Sequence, residues 1–235
     1  QRVGGFDTWH EPMSAADKKL KGDKLKAFKE GLGATVHRDF KRVLASEKRA
    51  VIETRNDYIG GTGEKLMSDE RVVTFRMMRG QLVIDFDITF IASYGDIEIG
   101  DMKDAGLSVR IPSSMSLKSE LGGQIVNSEG VRDGDTWSRR AAWVDYHGPV
   151  DGEHLGIAIL NHPDSFRYPT PWHVRTYGLF TANAFGFKSL DETLDDASFT
   201  LVDGTRFLLR HRLIFHEGDE KDAKIAKAFE AYSKQ

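Results

Sequence analysis

The sequence predicts an all-β protein, an antiparallel β-sandwich, from three observations. Period-two alternation recurs along the chain, most clearly at 81–92, where Leu82, Ile84, Phe86, Ile88 and Phe90 fall on one face. Turn dipeptides, Arg79-Gly80 and Asp203-Gly204 among them, punctuate these runs. Helical spacing is confined to 14–32 and to the tail from 217 to 235. Successive hairpins of this kind argue against a parallel sheet layered with helices. With 235 residues and 40% apolar content the chain can bury a sizeable core, and it reads as a single sandwich domain, 1–235.

Taken in order, Ser14 to Asp17 has the spacing of a capping box and opens a predicted helix over about 15–30. Leu25, Phe28 and Leu32 keep helical spacing, but Gly22 interrupts it and lysines crowd the segment, so 14–32 reads as a basic, solvated insertion. Strands follow at 35–44 and 48–58 around a polar turn at Ser46-Glu47, then at 71–78 and 81–92. Opposite the apolar face of the last, Asp85, Asp87 and Thr89 make a row that suits the wet side of an antiparallel sheet, or else a metal or sugar site. Short strands are expected at 97–99, 107–111, 124–127, 141–146 and 157–160. Two more, 198–202 and 205–216, read as a hairpin across Asp203-Gly204. On 205–216, His211 lies among apolar neighbours and reads as a core histidine, whereas His216 is placed at an exposed strand end. Trp143 is expected to fill the core between the sheets.

Composition limits the partners. The formal net charge is −3 with acidic and basic residues mixed, which leaves no electrostatic footprint for nucleic acid or an anionic membrane. No apolar run approaches bilayer-spanning length. The absence of cysteine excludes disulfides, thiolate metal sites and a cysteine nucleophile, and suits cytoplasm or periplasm equally. No nucleophile elbow, phosphate-binding loop or dinucleotide fingerprint is present. Neither a metal nor another cofactor is called for, because the histidines lack close paired spacing; His162 and His173 would have to converge with Asp145 across loops. Oligomeric state is not legible.

The chemistry gathers around 156–186. A strand there ends at a loop carrying Pro163, Pro169 and Pro171, which cannot be regular helix or central strand. The loop bears His162, Arg167, Tyr168, Trp172, His173, Arg175 and Tyr177, with Asn183 beyond it. A rigid backbone presenting such groups suits a binding site, and equally a loop whose aromatics cover a core edge. Three other Gly-bounded polar segments share its texture: one with Asp101 and Lys103, one with Glu129, and one with Asp145 and His147. If these loops converge, Glu129 serves as general base and His173 as general acid. Arg110 and Arg175 then clamp an oxyanion, while Trp143, Trp172 and Tyr177 offer flat faces to a pyranose ring. In the bland alternative, Asp101 and Lys103 pair at the surface and contribute little. Trp172 and His173, being adjacent, should point to opposite sides, Trp172 into the sandwich and His173 into the cleft.

The run HPDSFRYPTPWHVRTYGLFTANAFG resembles the PmoA-like domain of unknown function, a bacterial family often labelled methane oxygenase. The resemblance extends through TRNDYI (54–59), IDFDITFIAS (84–93), GDMKDAGLSVRI (100–111), QIVNSEG (124–130) and RRAAWVDYHGPVDG (139–152). It implies additional N-terminal strands and a His-rich segment ahead of Gly5-Phe6-Asp7-Thr8-Trp9, so an N-terminally incomplete chain is expected, from which any export signal would be missing. The label implies iron or copper held by His162, His173 and an acidic partner, although the membrane-embedded enzyme whose name it borrows cannot be this chain. By analogy of fold alone, the large sandwich of aldose-mutarotase-like proteins is the expected architecture. Three functions stay open: a carbohydrate-active epimerase, lyase or hydrolase using the His173/Glu129 pair, a non-catalytic sugar-binding module, and a metal-dependent oxygenase.

Overall fold

The computed structural model describes residues 2–235. In chain order the elements are β1 (Arg2–Val3), β2 (Phe6–Asp7), α1 (Ser14–Asp17), α2 (Gly22–Glu30), β3 (Gly33–Ala45), β4 (Arg49–Gly60), β5 (Lys65–Met78), β6 (Gln81–Ile91), β7 (Ile97–Ile99), β8 (Leu107–Arg110), β9 (Gln124–Asn127), β10 (Trp143–Val150), β11 (Glu153–Asn161), β12 (Trp172–Val174), β13 (Leu179–Ala182), β14 (Phe199–Leu201), β15 (Arg206–Glu217) and α3 (Ile225–Tyr232). An eight-stranded sheet, β3-β4-β5-β6-β15-β11-β10-β9, forms the body of the molecule. Two small sheets, β14-β7-β1-β2 and β12-β13-β8, pack on one of its faces, and all these ladders are antiparallel. The fold is an antiparallel β-sandwich.

Alternation decides which residues enter which layer. Phe90, Phe207, Tyr58 and Met67 pack against Val3, Ile99 and Phe185 beneath the four-stranded sheet. Tyr146, Ile157, Ile159 and Leu213 pack against Trp172, Val174 and Phe180 beneath the three-stranded sheet. The opposite face of the large sheet is also covered. There Val83, Trp143, Leu160 and Ile214 meet Ile225 and Tyr232 of α3. Trp143 therefore lies under the C-terminal helix and not between the sheets.

The same coverage corrects the reading of the aspartate row. Asp85 is buried, its carboxylate accepting hydrogen bonds from Arg212 Nε (2.5 Å) and Nη2 (3.0 Å) and from Arg76. Asp87 lies 3.6 Å from Arg210 Nε. The two aspartates thus pair with arginines of the strands on either side, Arg76 of β5 and Arg210 and Arg212 of β15.

Turn chemistry was legible in part. Arg79 and Gly80 both adopt positive φ (54° and 83°), as the tight β5–β6 hairpin requires. Asp203-Gly204 also turns, with Thr205 N–H donating to Val202 O at 2.9 Å. It does not close a hairpin, however, because β14 pairs with β7 while β15 pairs with β6 and β11. The single helix expected at 15–30 is split into α1 and α2. Met13 rather than Ser14 takes the first N-cap, and the capping box rests partly on the Asp17 side chain, which lies outside the described residues. In the tail, Asp219 Oδ1 accepts the N–H groups of Lys221 and Asp222 and Lys224 takes φ 56°, so helix begins only at Ile225. The expectation about the chain's start concerns Gln1, also outside the described residues. Among those described, no helix is long and apolar enough to cross a membrane.

Candidate functional site

The loop at 161–171 is fastened to β15. His162 N–H donates to Arg210 O (3.0 Å) and Phe166 N–H to Leu208 O (2.8 Å). From that anchorage the chain enters β12, where alternation sends neighbouring residues to opposite sides. Trp172 is fully buried in the sandwich and donates its indole N–H to Ala141 O at 3.0 Å. His173 turns to the outer face of the three-stranded sheet. There it is enclosed: its Nδ1 meets Lys103 O at 2.6 Å, and its ring packs edge-on against Trp137 at 4.8 Å. Burial pushes the imidazole below its ordinary value, against the opposing pull of the Lys103 carbonyl and Asp104, with Arg175 reinforcing the shift.

From Trp137 a line of flat groups runs outward. The Arg175 guanidinium lies 4.6 Å from the Trp137 ring and 5.4 Å from that of Tyr177, and Arg110 lies 5.8 Å from Tyr177. Tyr177 is 45% exposed. Depressions open on both flanks of Trp137, one of about 280 Å³ bounded by Gly134, Val174, Arg175 and Thr176, the other of about 380 Å³ bounded by Ser138, Arg139, Leu190 and Asp191. His173, Arg175, Arg110 and Tyr177 are thus brought into one neighbourhood, whose centre, Trp137, the sequence reading missed. Its signal was an aromatic residue set in the polar, Gly-containing run 133–140.

The remaining candidates go elsewhere. Asp101 does not pair with Lys103. Its carboxylate accepts the backbone N–H groups of Phe187, Lys188, Ser189 and Ala197 at 2.8–3.1 Å, which shape the 187–197 loop. Burial opposes ionisation there, but these hydrogen bonds outweigh it and hold the carboxyl below its ordinary value. Asn183 is fully buried as a clip: Nδ2 donates to Met102 O and Lys103 O, and Oδ1 accepts from Phe185 and Gly186. Lys103 contributes its carbonyl, while its side chain is exposed. Glu129 is exposed and accepts from Ser128 Oγ at 2.8 Å, so its contacts and those of His173 are different sets. His162 is buried against Tyr232 (4.9 Å, edge-on) beside Arg210, beneath α3. The convergence of His162 and His173 with Asp145 is not what the fold produces.

Asp145 and His147 project from β10 onto the face beneath α3 and the segment leading to it. His147 Nδ1 lies 2.8 Å from His154 Nε2, and Asp145 Oδ2 lies 2.6 Å from His216 Nε2. The sequence placed His216 at an exposed end, yet its side chain is fully buried. The reason is Gly156, which sits between His147 and His216 in register. A Cβ there would fall 2.2 Å from His216 Cε1, so only glycine lets the imidazole lean across β11 to Asp145. Burial raises the Asp145 carboxyl above its ordinary range. For His216 burial works downward, but the hydrogen bond and charge of Asp145 prevail and raise it. Near these residues Glu220, also buried, brings its Oε2 to 3.6 Å from His147 Nε2. Asp145, His147 and Glu220 are the set of ligand-type side chains that meets within 4.8 Å among the described residues.

The chain belongs to a family of unknown function, DUF6807, whose model matches residues 1–230. This corrects the assignment to the PmoA-like family: the matching model spans nearly the whole chain and bears a different description. No curated protein matches the sequence. Among solved structures, the chain is similar to a galactose mutarotase related enzyme from Lactobacillus acidophilus, at 9% identity and TM-score 0.34, over 77% of this chain and 72% of that one. It is also similar to a galactose mutarotase-like protein from Lactobacillus casei ATCC 334, at 12% identity and TM-score 0.38, over 76% and 73%. A polysaccharide lyase aligns at 14% identity and TM-score 0.32, over 82% of this chain and 27% of its own.

Proposed function

We propose that this protein binds a sugar derivative bearing an acid group on the outer face of the three-stranded sheet. The observation that carries the reading is the line Trp137, Arg175, Tyr177, Arg110, in which aromatic faces alternate with guanidinium forks beside two shallow depressions. Aromatic faces suit the apolar face of a pyranose ring, and a guanidinium donates two parallel hydrogen bonds to a carboxylate. The sheet supplies rigidity, since Trp172 and Val174 root β12 in the core while Arg175 follows directly.

Binding rather than turnover is the form of this proposal. His173 is enclosed and held by a carbonyl, and Glu129 is exposed with its hydrogen bond from Ser128, which favours binding over acid–base turnover by this pair. The test is calorimetric titration with a uronic acid and its neutral parent sugar. The uronic acid should bind and the neutral sugar bind more weakly. Arg175→Ala and Tyr177→Ala should each weaken binding about 5-fold or more, as loss of a cation–π or charged contact of about 1 kcal/mol or above implies. Equal affinity of the variants and the native chain, or no binding of either sugar, would reject this face as the site. Conversion of the sugar during titration would favour the enzymatic alternative.

A further inference from the structure

We infer that Asp145, His147 and Glu220 form a binding site for a divalent transition-metal ion of the zinc class, which fastens the segment before α3 to the large sheet. The geometry of unused donors points to it. Asp145 Oδ1, His147 Nε2 and Glu220 Oε2 are all buried and have no hydrogen-bond partner among the described residues. These are the three atoms of the cluster left free to face one another. A buried polar atom without a partner carries a desolvation cost, and three at one point call for a common ligand.

The atom opposite each of these is already held. His147 Nδ1 meets His154, Asp145 Oδ2 meets His216, and Glu220 Oε1 accepts from Arg132 Nη2 at 3.0 Å. This is the outer-shell pattern of a metal site, in which a second group fixes the orientation and tautomer of each ligand. The His147–Glu220 separation of 3.6 Å suits two ligands that each lie ~2.1 Å from one ion. One imidazole nitrogen with two carboxylate oxygens selects a transition metal over the all-oxygen preference of calcium or magnesium.

The two carboxyl groups are buried, and their pairing partners, His216 on Asp145 and Arg132 on Glu220, hold only the outer oxygens. A cleft of about 870 Å³ is lined by His216, which contacts Asp145, and by Gly218 and Asp222, which flank Glu220 in the sequence. Glu220 is the ligand from outside the sheet. Through it the ion would tie the turn at 218–224, and with it Ile225 and α3, to β10.

The experiment uses the whole chain, stripped with chelator and then titrated with Zn²⁺ by calorimetry and with Co²⁺ by visible absorption. About one ion per chain should bind, Co²⁺ should give d–d bands of a low-coordinate nitrogen/oxygen site, and Zn²⁺ should raise the thermal midpoint by several degrees. His147→Ala and the near-isosteric Glu220→Gln should abolish the Co²⁺ bands, while His154→Ala should weaken affinity ~10–100-fold. His10→Ala, at the surface pair His10–Asp7, should leave binding unchanged. Far-UV circular dichroism checks that each variant folds, and Glu220→Gln keeps the test decisive if His147→Ala does not. Absence of Co²⁺ bands in the native chain would overturn the inference, as would native-strength binding in folded Glu220→Gln.

Discussion

The outer face of the three-stranded sheet and the region beneath α3 each contain a buried histidine on a short stretch of strand, and the two are finished differently. His173 has its Nδ1 on a backbone carbonyl 2.6 Å away and Trp137 across its ring. His147 has its Nδ1 on His154, but its Nε2 looks toward two carboxylate oxygens that also lack partners. Enclosure alone therefore does not mark a functional histidine. What separates the two is whether the donor inventory closes within the protein. It closes at Nδ1 of His173, which becomes a support for the exposed cations around it. It stays open at His147, where three atoms await one partner.

The comparison breaks first at its foundation. Trp172 is fully buried and its indole N–H is satisfied by Ala141 O, so Trp172→Ala should cost about 3–5 kcal/mol in urea unfolding. A loss under 1 kcal/mol would mean that the outer sheet is not rooted through this ring.

Acid tests the histidines as a group, and His211 sets the size. It is buried without charge beside Asn161 and its pKa is pushed down to about 4 by burial. Its folded value lies below its unfolded one, so its contribution is complete above about pH 6.5 and is lost as pH falls toward 4, by about 3 kcal/mol in total. His147, His162 and His173, all lowered chiefly by burial, act in the same direction; His216, raised by Asp145, acts against them. Unfolding free energy measured at pH 7.5 and 4.5 should fall, and His211→Asn should flatten the slope. A flat profile in the native chain would show that these imidazoles are not held neutral.

The smallest effect sharpens the contrast itself. His173→Ala removes a buried hydrogen bond but leaves Lys103 O with Asn183 Nδ2 at 2.9 Å, so the expected cost is about 1–3 kcal/mol by thermal unfolding. The sequence alone places His173 in an open cleft, where its loss would cost little stability. A neutral substitution accompanied by loss of sugar binding would restore that view.

Local pattern determined much of this protein. Period-two alternation located β3, β4, β6 and β15 to within a residue or two, because half-buried strands must alternate whatever they pair with. Adjacency on an extended chain was enough to send Trp172 inward and His173 to the other side. Pairing between distant strands was not legible. Asp203-Gly204 has the chemistry of a turn, but only the tertiary fold decided that its two strands join different sheets. The second covered face was hidden for the same reason. Asp85, Trp143 and His216 read as wet, inter-sheet and exposed until the C-terminal segment folded over them. Glu220 stands more than seventy residues from Asp145 and His147, and no spacing rule links a strand residue to a turn that returns across it. Sequence sets which side of its own strand a residue occupies; only the assembled layers set what lies on that side.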